Sequence, residues 1–277
     1  MPDEITSRRN AIIREMVKIS RSASYRREKN LFLAEGARLC SDAAKSGLRI
    51  PVLLDTEKAS QKYAGYLSAI RPSAESEYRV SSSVASLLSD TKTNQGIFCL
   101  CFLPDPPASF PSPESGKHCL VLENIQDPAN LGAVLRTAEA LGFGSVLLTG
   151  QCCDAFSRKA LRASMGAVFR LPFFTFPDSS GTVRRLNENG FSTFAAVPDR
   201  NALPVTELCF DRPSAAVVGN EGSGLLPETE RACLRRITIP MGGRAESLNA
   251  AAASAILMWE MTRGNGKKES SARKGKA

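Results

Sequence analysis

The sequence predicts an α/β fold built as two domains, and three observations carry that prediction. Short Val-, Leu- and Ile-rich segments alternate with helical stretches along most of the 277 residues. In the second half these segments lack period-two alternation, the pattern of parallel strands covered on both faces. Between the halves, residues 103–117 read LPDPPASFPSPESGK, with five prolines and three serines; such a composition favours an extended, solvated connection.

Taken in order, the first domain spans residues 1–103. Its strands are expected at Leu31–Ala34, Pro51–Asp55 and Ile97–Leu103, with helices over Gly36–Lys45, Ala59–Ile70 and Ser83–Ser89. Residues 104–116 form the linker. The second domain, 117–263, has strands at Cys119–Glu123, Ser145–Thr149, Phe191–Val197, Ala215–Gly219 and Arg236–Ile239, and a long helix over Ser247–Thr262. In sheets of this kind ligands sit at the carboxyl ends of the strands. The tail 264–277, GNGKKESSARKGKA, has nothing apolar to bury and is expected to be disordered. The sequence contains no internal repeat.

Charge points to a polyanionic partner. The net charge is +8, and nine Lys/Arg against three Glu between Arg8 and Arg38, with six against one from Arg263 onward, concentrate the excess at the two ends. Neutralising phosphates with such blocks releases counterions and drives RNA binding; a solvated helix face and a solubilising tail account for the same charges equally well. Eight cysteines without repeated short spacing suit buried thiols in a reducing compartment, and neither Cys99/Cys101 nor Cys152/Cys153 has zinc-site spacing. No metal is therefore expected. The only histidine, His118, reads as a solvated side chain. No apolar run reaches the roughly 18–20 residues that span a bilayer, and the polar start is unlike a signal peptide, so a cytoplasmic location is expected.

Three loops, each directly after a strand, carry the candidate chemistry. The first, Glu123–Gly132, leads into a helix that Asn130 is placed to cap, with Arg136 less than two turns further on. The second, Val217–Leu225, has three glycines in six residues around Glu221; it lacks the Lys-Ser/Thr of a phosphate loop and the order of the dinucleotide fingerprint. The third, Ile239–Asn249, opens the long helix with Ser247 as expected N-cap. Each alone is also a plain capped helix or glycine turn.

Together these loops resemble the SpoU/TrmH family of RNA 2′-O-ribose methyltransferases, within the SPOUT superfamily. Its N-x-x-D-P-x-N-x-G-x-x-x-R-T pattern is matched by Asn124, Asp127, Pro128, Asn130, Gly132, Arg136 and Thr137. V-x-G-N-E-G-x-G-L is matched from Val217 to Leu225, and I-P-M-x-G with S-L-N from Ile239 to Asn249. Arg162–Ala167 is also typical. The resemblance implies a parallel sheet threaded into a trefoil knot, a homodimer, S-adenosyl-L-methionine as cofactor and structured RNA, foremost 23S ribosomal RNA, as substrate. It assigns Arg136 as the principal catalytic residue, with Asn130, Glu221, Ser247 and Asn249 around it, and Gly219, Ile239, Met241, Leu248 and Ala196 to the cofactor. We expect Arg136 to orient the ribose and its phosphate, with Glu221 and Asn130 holding the guanidinium. The first half resembles the RNA-binding domain of ribosomal-protein-like fold often fused to this family. Rival readings are a transfer-RNA 2′-O-methyltransferase, a base-nitrogen methyltransferase of the same superfamily and a non-catalytic RNA-binding or ribosome-assembly protein.

Overall fold

The computed structural model describes residues 3–91 and 93–263, which form two compact units: residues up to 105 together with 154–170, and residues 106–153 together with those from 171 onward. The basic tail 264–277 lies outside the described residues.

Unit 1 runs β1 (Asp3–Ile5), α1 (Ala11–Arg21), α2 (Ala23–Lys29), β2 (Leu31–Glu35), α3 (Ala37–Lys45), β3 (Ile50–Asp55), α4 (Glu57–Lys62), α5 (Ala64–Ile70), β4 (Ala74–Val80), α6 (Ser82–Leu88) and β5 (Ile97–Phe102). Its sheet has the order β1-β4-β3-β5-β2, with β5 antiparallel to both neighbours and the other pairs parallel. The helix α1 starts where Asn10 Oδ1 accepts from the Ile12 amide (2.8 Å), which satisfies one orphan N–H. Its Ile13, Met16 and Ile19 are buried on Leu33, Leu54 and Phe98. The opposite positions Arg14, Lys18 and Arg21, spaced four and three apart, form an exposed basic face. One basic residue of this region is not available to a partner: Arg26 is buried, ion-paired to Asp154 (2.6 Å), with its Nη1 donating to the Ile19 carbonyl (2.7 Å).

Unit 2 runs β6 (Cys119–Glu123), α7 (Pro128–Ala140), β7 (Ser145–Thr149), then β8 (Phe173–Phe176), α9 (Ser179–Glu188), β9 (Ser192–Ala196), β10 (Leu203–Pro204), β11 (Ser214–Val218), α10 (Pro227–Ala232), β12 (Arg235–Thr238) and α11 (Ala250–Arg263); α8 (Arg158–Ser164), between β7 and β8 in sequence, belongs to unit 1. All six pairings of its sheet, in the order β10-β12-β9-β11-β6-β7-β8, are parallel. Val121, Leu147, Ala215 and Val217 pack on Val183, Leu186 and Phe191.

Several expectations need correction. A single break at the linker does not describe the chain, because 154–170 joins unit 1: Asp154 pairs with Arg26, and the Phe156 and Phe169 rings lie 5.0 and 5.6 Å from that of Phe32. The linker is not wholly solvated either. Phe110 packs on Phe176 (5.7 Å between centroids), and the Arg185 guanidinium lies 4.1 Å from its ring centre. The helix expected over Ala59–Ile70 breaks at Tyr63. His118 is buried: the Ser214 amide donates to its Nδ1 (3.2 Å), so the proton of the neutral ring sits on Nε2.

Candidate active site

Parallel registry brings the three loops to one end of the unit 2 sheet. Val218 pairs with Leu122, Val217 with Ala195, and Ile237 with Ala196, so β6, β11, β9 and β12 lie side by side and end together. The segments that leave these four strands, residues 124–130, 219–225, 197–201 and 239–249, therefore emerge at the same edge.

The glycine loop is closed by its own backbone. Asn220 and Gly224 exchange amide–carbonyl hydrogen bonds (3.1 and 2.9 Å), while the Gly222 and Ser223 amides donate to Asn220 Oδ1 (2.9 and 3.1 Å). Gly219 is required here, since a Cβ would stand 2.3 Å from the Gly224 carbonyl. Two braces fix the loop to β6. Asn220 Nδ2 donates to the Asn124 carbonyl (2.9 Å). The buried Glu123 carboxylate accepts from the Leu226 amide (2.7 Å) and the Thr229 hydroxyl (2.6 Å).

Asn130 joins all three loops. Its Nδ2 donates to Glu221 Oε1 (2.5 Å), and its Oδ1 accepts from Asn249 Nδ2 (2.9 Å). Neither expected cap is used. Asp127 caps α7 by accepting from the Ala129 amide (3.0 Å), leaving the Asn130 side chain to the cluster. Asn249, not Ser247, accepts from the Ala251 and Ala252 amides (2.9 and 3.2 Å) and so starts α11. The expected clamp on Arg136 is also absent. Glu221 turns to Asn130, and Arg136, 600° further round the helix at about 100° per residue, is exposed with no hydrogen bond or ion pair among the described residues.

A cleft of about 470 Å³ opens beside this cluster, within the range of small-molecule sites. Gly219, Ile239, Met241, Leu248 and Ala196 line it, as do Glu221 and Ser247; Asn130, Asn249 and Arg136 do not. Its lining carries four carboxylates, those of Asp199, Glu221, Glu230 and Glu246, against the single guanidinium of Arg236. That guanidinium is engaged, with Nη2 on Asp199 (2.8 Å) and Nε on Glu230 (2.6 Å). The Asn201 amide and, less, Arg236 hold the Asp199 carboxyl below the usual carboxylate range. Sequence reading missed this trio because its members come from three separate segments; the one available signal was an aspartate placed just after a strand end.

The lining fits S-adenosylmethionine on two counts. Apolar side chains (Val197, Ile239, Met241, Leu248) suit a purine and a thioether chain, and an acidic wall favours a sulfonium cation. The same wall disfavours a phosphate-bearing nucleotide. Among the described residues no group of His, Cys, Asp and Glu is arranged to hold a metal ion, and no helix is long and apolar enough to cross a membrane.

Several known proteins are similar to this chain. The chain is 30% identical over 265 residues to the 23S rRNA (guanosine(2553)-2′-O)-methyltransferase RlmP of Bacillus subtilis (strain 168), covering 93% of this chain and 98% of that protein. Its fold is similar to that of an AdoMet-bound rRNA methyltransferase from Sinorhizobium meliloti (TM-score 0.84, 27% identity, 94% of this chain and 97% of that one). It is also similar to a solved RNA 2′-O ribose methyltransferase (TM-score 0.81, 29% identity, 95% and 99%). Residues 10–99 match the MRM3-like substrate binding domain, and residues 117–259, over half of the chain, match the SpoU rRNA Methylase family model, so the protein belongs to the SpoU family.

Proposed function

We propose that this protein is an S-adenosylmethionine-dependent methyltransferase that modifies a ribose 2′-hydroxyl in structured RNA, with 23S ribosomal RNA as its substrate and the cytoplasm as its place of action. The observation that carries the reading is the Glu221–Asn130–Asn249 cluster at the mouth of an acidic cleft. Its members come from three distant segments of the chain. The substrate follows the relative acting on 23S rRNA and the family description.

When bound, S-adenosylmethionine supplies an electrophilic methyl group on a sulfonium. In this reading Gly219, Ile239, Met241, Leu248 and Ala196 hold it. The exposed Arg136 takes the phosphate and ribose of the incoming nucleotide, and Asn130, Ser247 and Asn249 shape the space between. Placement can contribute about 7–11 kcal/mol, against about 3–5 kcal/mol for a proton acceptor, so positioning is the larger part of catalysis. The basic face of α1, inside the region matching a substrate-binding domain, contacts RNA.

Two finer features belong to the same reading. The return of the chain from β11 past β9 to β12, with 239–249 coming back beside 219–225, accords with a trefoil knot. On α11, Ala252, Ile256 (38% exposed) and Trp259 (56%) share one outward stripe, an apolar surface suited to a second copy in a homodimer.

The test is calorimetric titration of the whole protein with S-adenosylmethionine, followed by incubation with an unmodified 23S rRNA transcript and tritiated donor. Label that resists alkaline cleavage at its linkage is expected. Label on a cleavable linkage would point to a base nitrogen, and no donor binding to a non-catalytic protein.

A further inference from the structure

Unit 1 holds a cavity of its own, of about 380 Å³, also within the range of small-molecule sites. We propose that it receives one unstacked nucleotide of the RNA substrate, with the phosphate at the start of α3 and the base against Leu39, Leu161 and Met165. The inference deepens the RNA-modifying reading above and rests on it for the identity of the polymer.

One end of the cavity is the first turn of the nine-residue helix α3. Gly36 stands at its N-cap and has no side chain to cover that turn. Gln95 Oε1 accepts from the Ala37 amide (2.7 Å), and no hydrogen bond among the described residues reaches the Arg38 or Leu39 amide. Such amides, with the helix dipole behind them, favour an anion. Arg38 sits in the same turn, where the dipole disfavours a cation. Its charged neighbours in the lining are paired, Arg162 with Asp90 and Asp42 with Arg170 (3.7 Å). Arg38 is the exception, exposed and without hydrogen bond or ion pair among the described residues. A phosphate satisfies the guanidinium and the amides together.

A bare anion does not explain the rest. Glu35, also in the lining, has a side chain only 9% exposed. Its Oε1 accepts from the Ser89 hydroxyl, but Oε2 has no hydrogen-bond donor among the described residues; Arg158 Nη1, 3.9 Å away, donates instead to the Leu88 carbonyl (2.6 Å). A buried carboxylate oxygen left in this state is costly, and what it lacks is an N–H or O–H. Leu39, Leu161 and Met165 make the remaining wall apolar. An anion, a hydrogen donor and a flat apolar body together describe a nucleotide whose base has left its stack, the form in which single-stranded RNA is read.

The test measures RNA affinity by filter binding, separately from methyl transfer, on the whole protein with an unmodified 23S rRNA transcript. Arg38→Ala removes a side chain that the fold does not use, so its melting temperature should match wild type. Its Kd for the transcript should rise about 10–100-fold, the usual loss for a charged hydrogen bond. Lys45→Ala, at the far end of α3 and equally exposed, should leave Kd within a few-fold. Chemical probing of the bound transcript should show one base shielded in wild type and exposed again in Met165→Trp, which fills the slot. A Kd near wild type in Arg38→Ala, an equal loss in Lys45→Ala, or shielding indifferent to Met165→Trp would overturn the assignment. So would calorimetric binding of free nucleoside monophosphates that needs Arg38 while RNA affinity does not. A wild type that binds RNA through Arg38 yet transfers no methyl group would sink the methyltransferase reading and leave this site standing; equal methylation by Arg38→Ala at limiting transcript would do the reverse.

Discussion

The two units use similar strand–helix alternation yet treat their polar side chains in opposite ways. In unit 1 the charged groups along β3 and β4 close on one another: Asp55, with no exposed side-chain surface, pairs with Arg79 (2.7 Å), while Arg71 pairs with Glu77 (2.9 Å). Burial, with Arg79 only partly offsetting it, pushes the Asp55 carboxyl up. Arg26 and Asp154 likewise saturate each other. At the strand ends of unit 2 two polar residues differ: Glu221 is held through one oxygen, and Arg136 has no hydrogen bond or ion pair among the described residues. Charges that satisfy one another hold a fold together; groups anchored by half their valence are ready for a ligand.

That contrast can be broken by substitutions whose effects should fall on different readouts. The largest is expected in unit 1: Arg26→Ala strands a poorly exposed Asp154 and should lower stability by about 3–5 kcal/mol in urea unfolding, with donor affinity unchanged in calorimetry. Arg136→Lys should do the reverse. The melting temperature and RNA affinity should stay near wild type while single-turnover methylation falls by about 10²-fold, the usual consequence of misplacing a reacting group.

Glu123→Gln lies between these cases, because Glu123 is structural but braces the glycine loop. A loss of about 1.5–3 kcal/mol in stability is expected from its charged hydrogen bonds, accompanied by weaker donor binding. Stability lost with donor affinity intact would show that the loop holds its shape without the brace. The smallest effect concerns His118, whose pKa burial lowers from 6.5. The unfolded chain then binds the extra proton first, so stability is full above about pH 6.5 and declines as pH falls toward the folded value. Comparing urea midpoints at pH 7.5 and 5.5, wild type should lose more than His118→Asn.

Much of unit 2 was legible in the sequence because buried parallel strands read as unbroken apolar runs; β6 and β7 fall on the expected residues. The strand β4 was not. Its sequence AESEYRV looks like a polar loop, since Glu77 and Arg79 are paired to Arg71 and Asp55 rather than solvated. The edge strand β8 escaped because its Phe174 and Phe176 are covered by Phe110 from the distant linker. Residue identities at the site were readable from spacing, but their connections were not. Ser247 and Asn249 are equally good caps on paper, and only the fold shows that Asn249 starts α11 while also orienting Asn130.

The acidic cleft has a consequence for turnover. A wall of four carboxylates and one engaged guanidinium attracts a sulfonium, and that attraction ends once the methyl group has gone and sulfur is neutral. The chain's surplus of positive charge lies in other segments, so on the proposed reading the methyl donor is the ligand whose grip the reaction itself loosens.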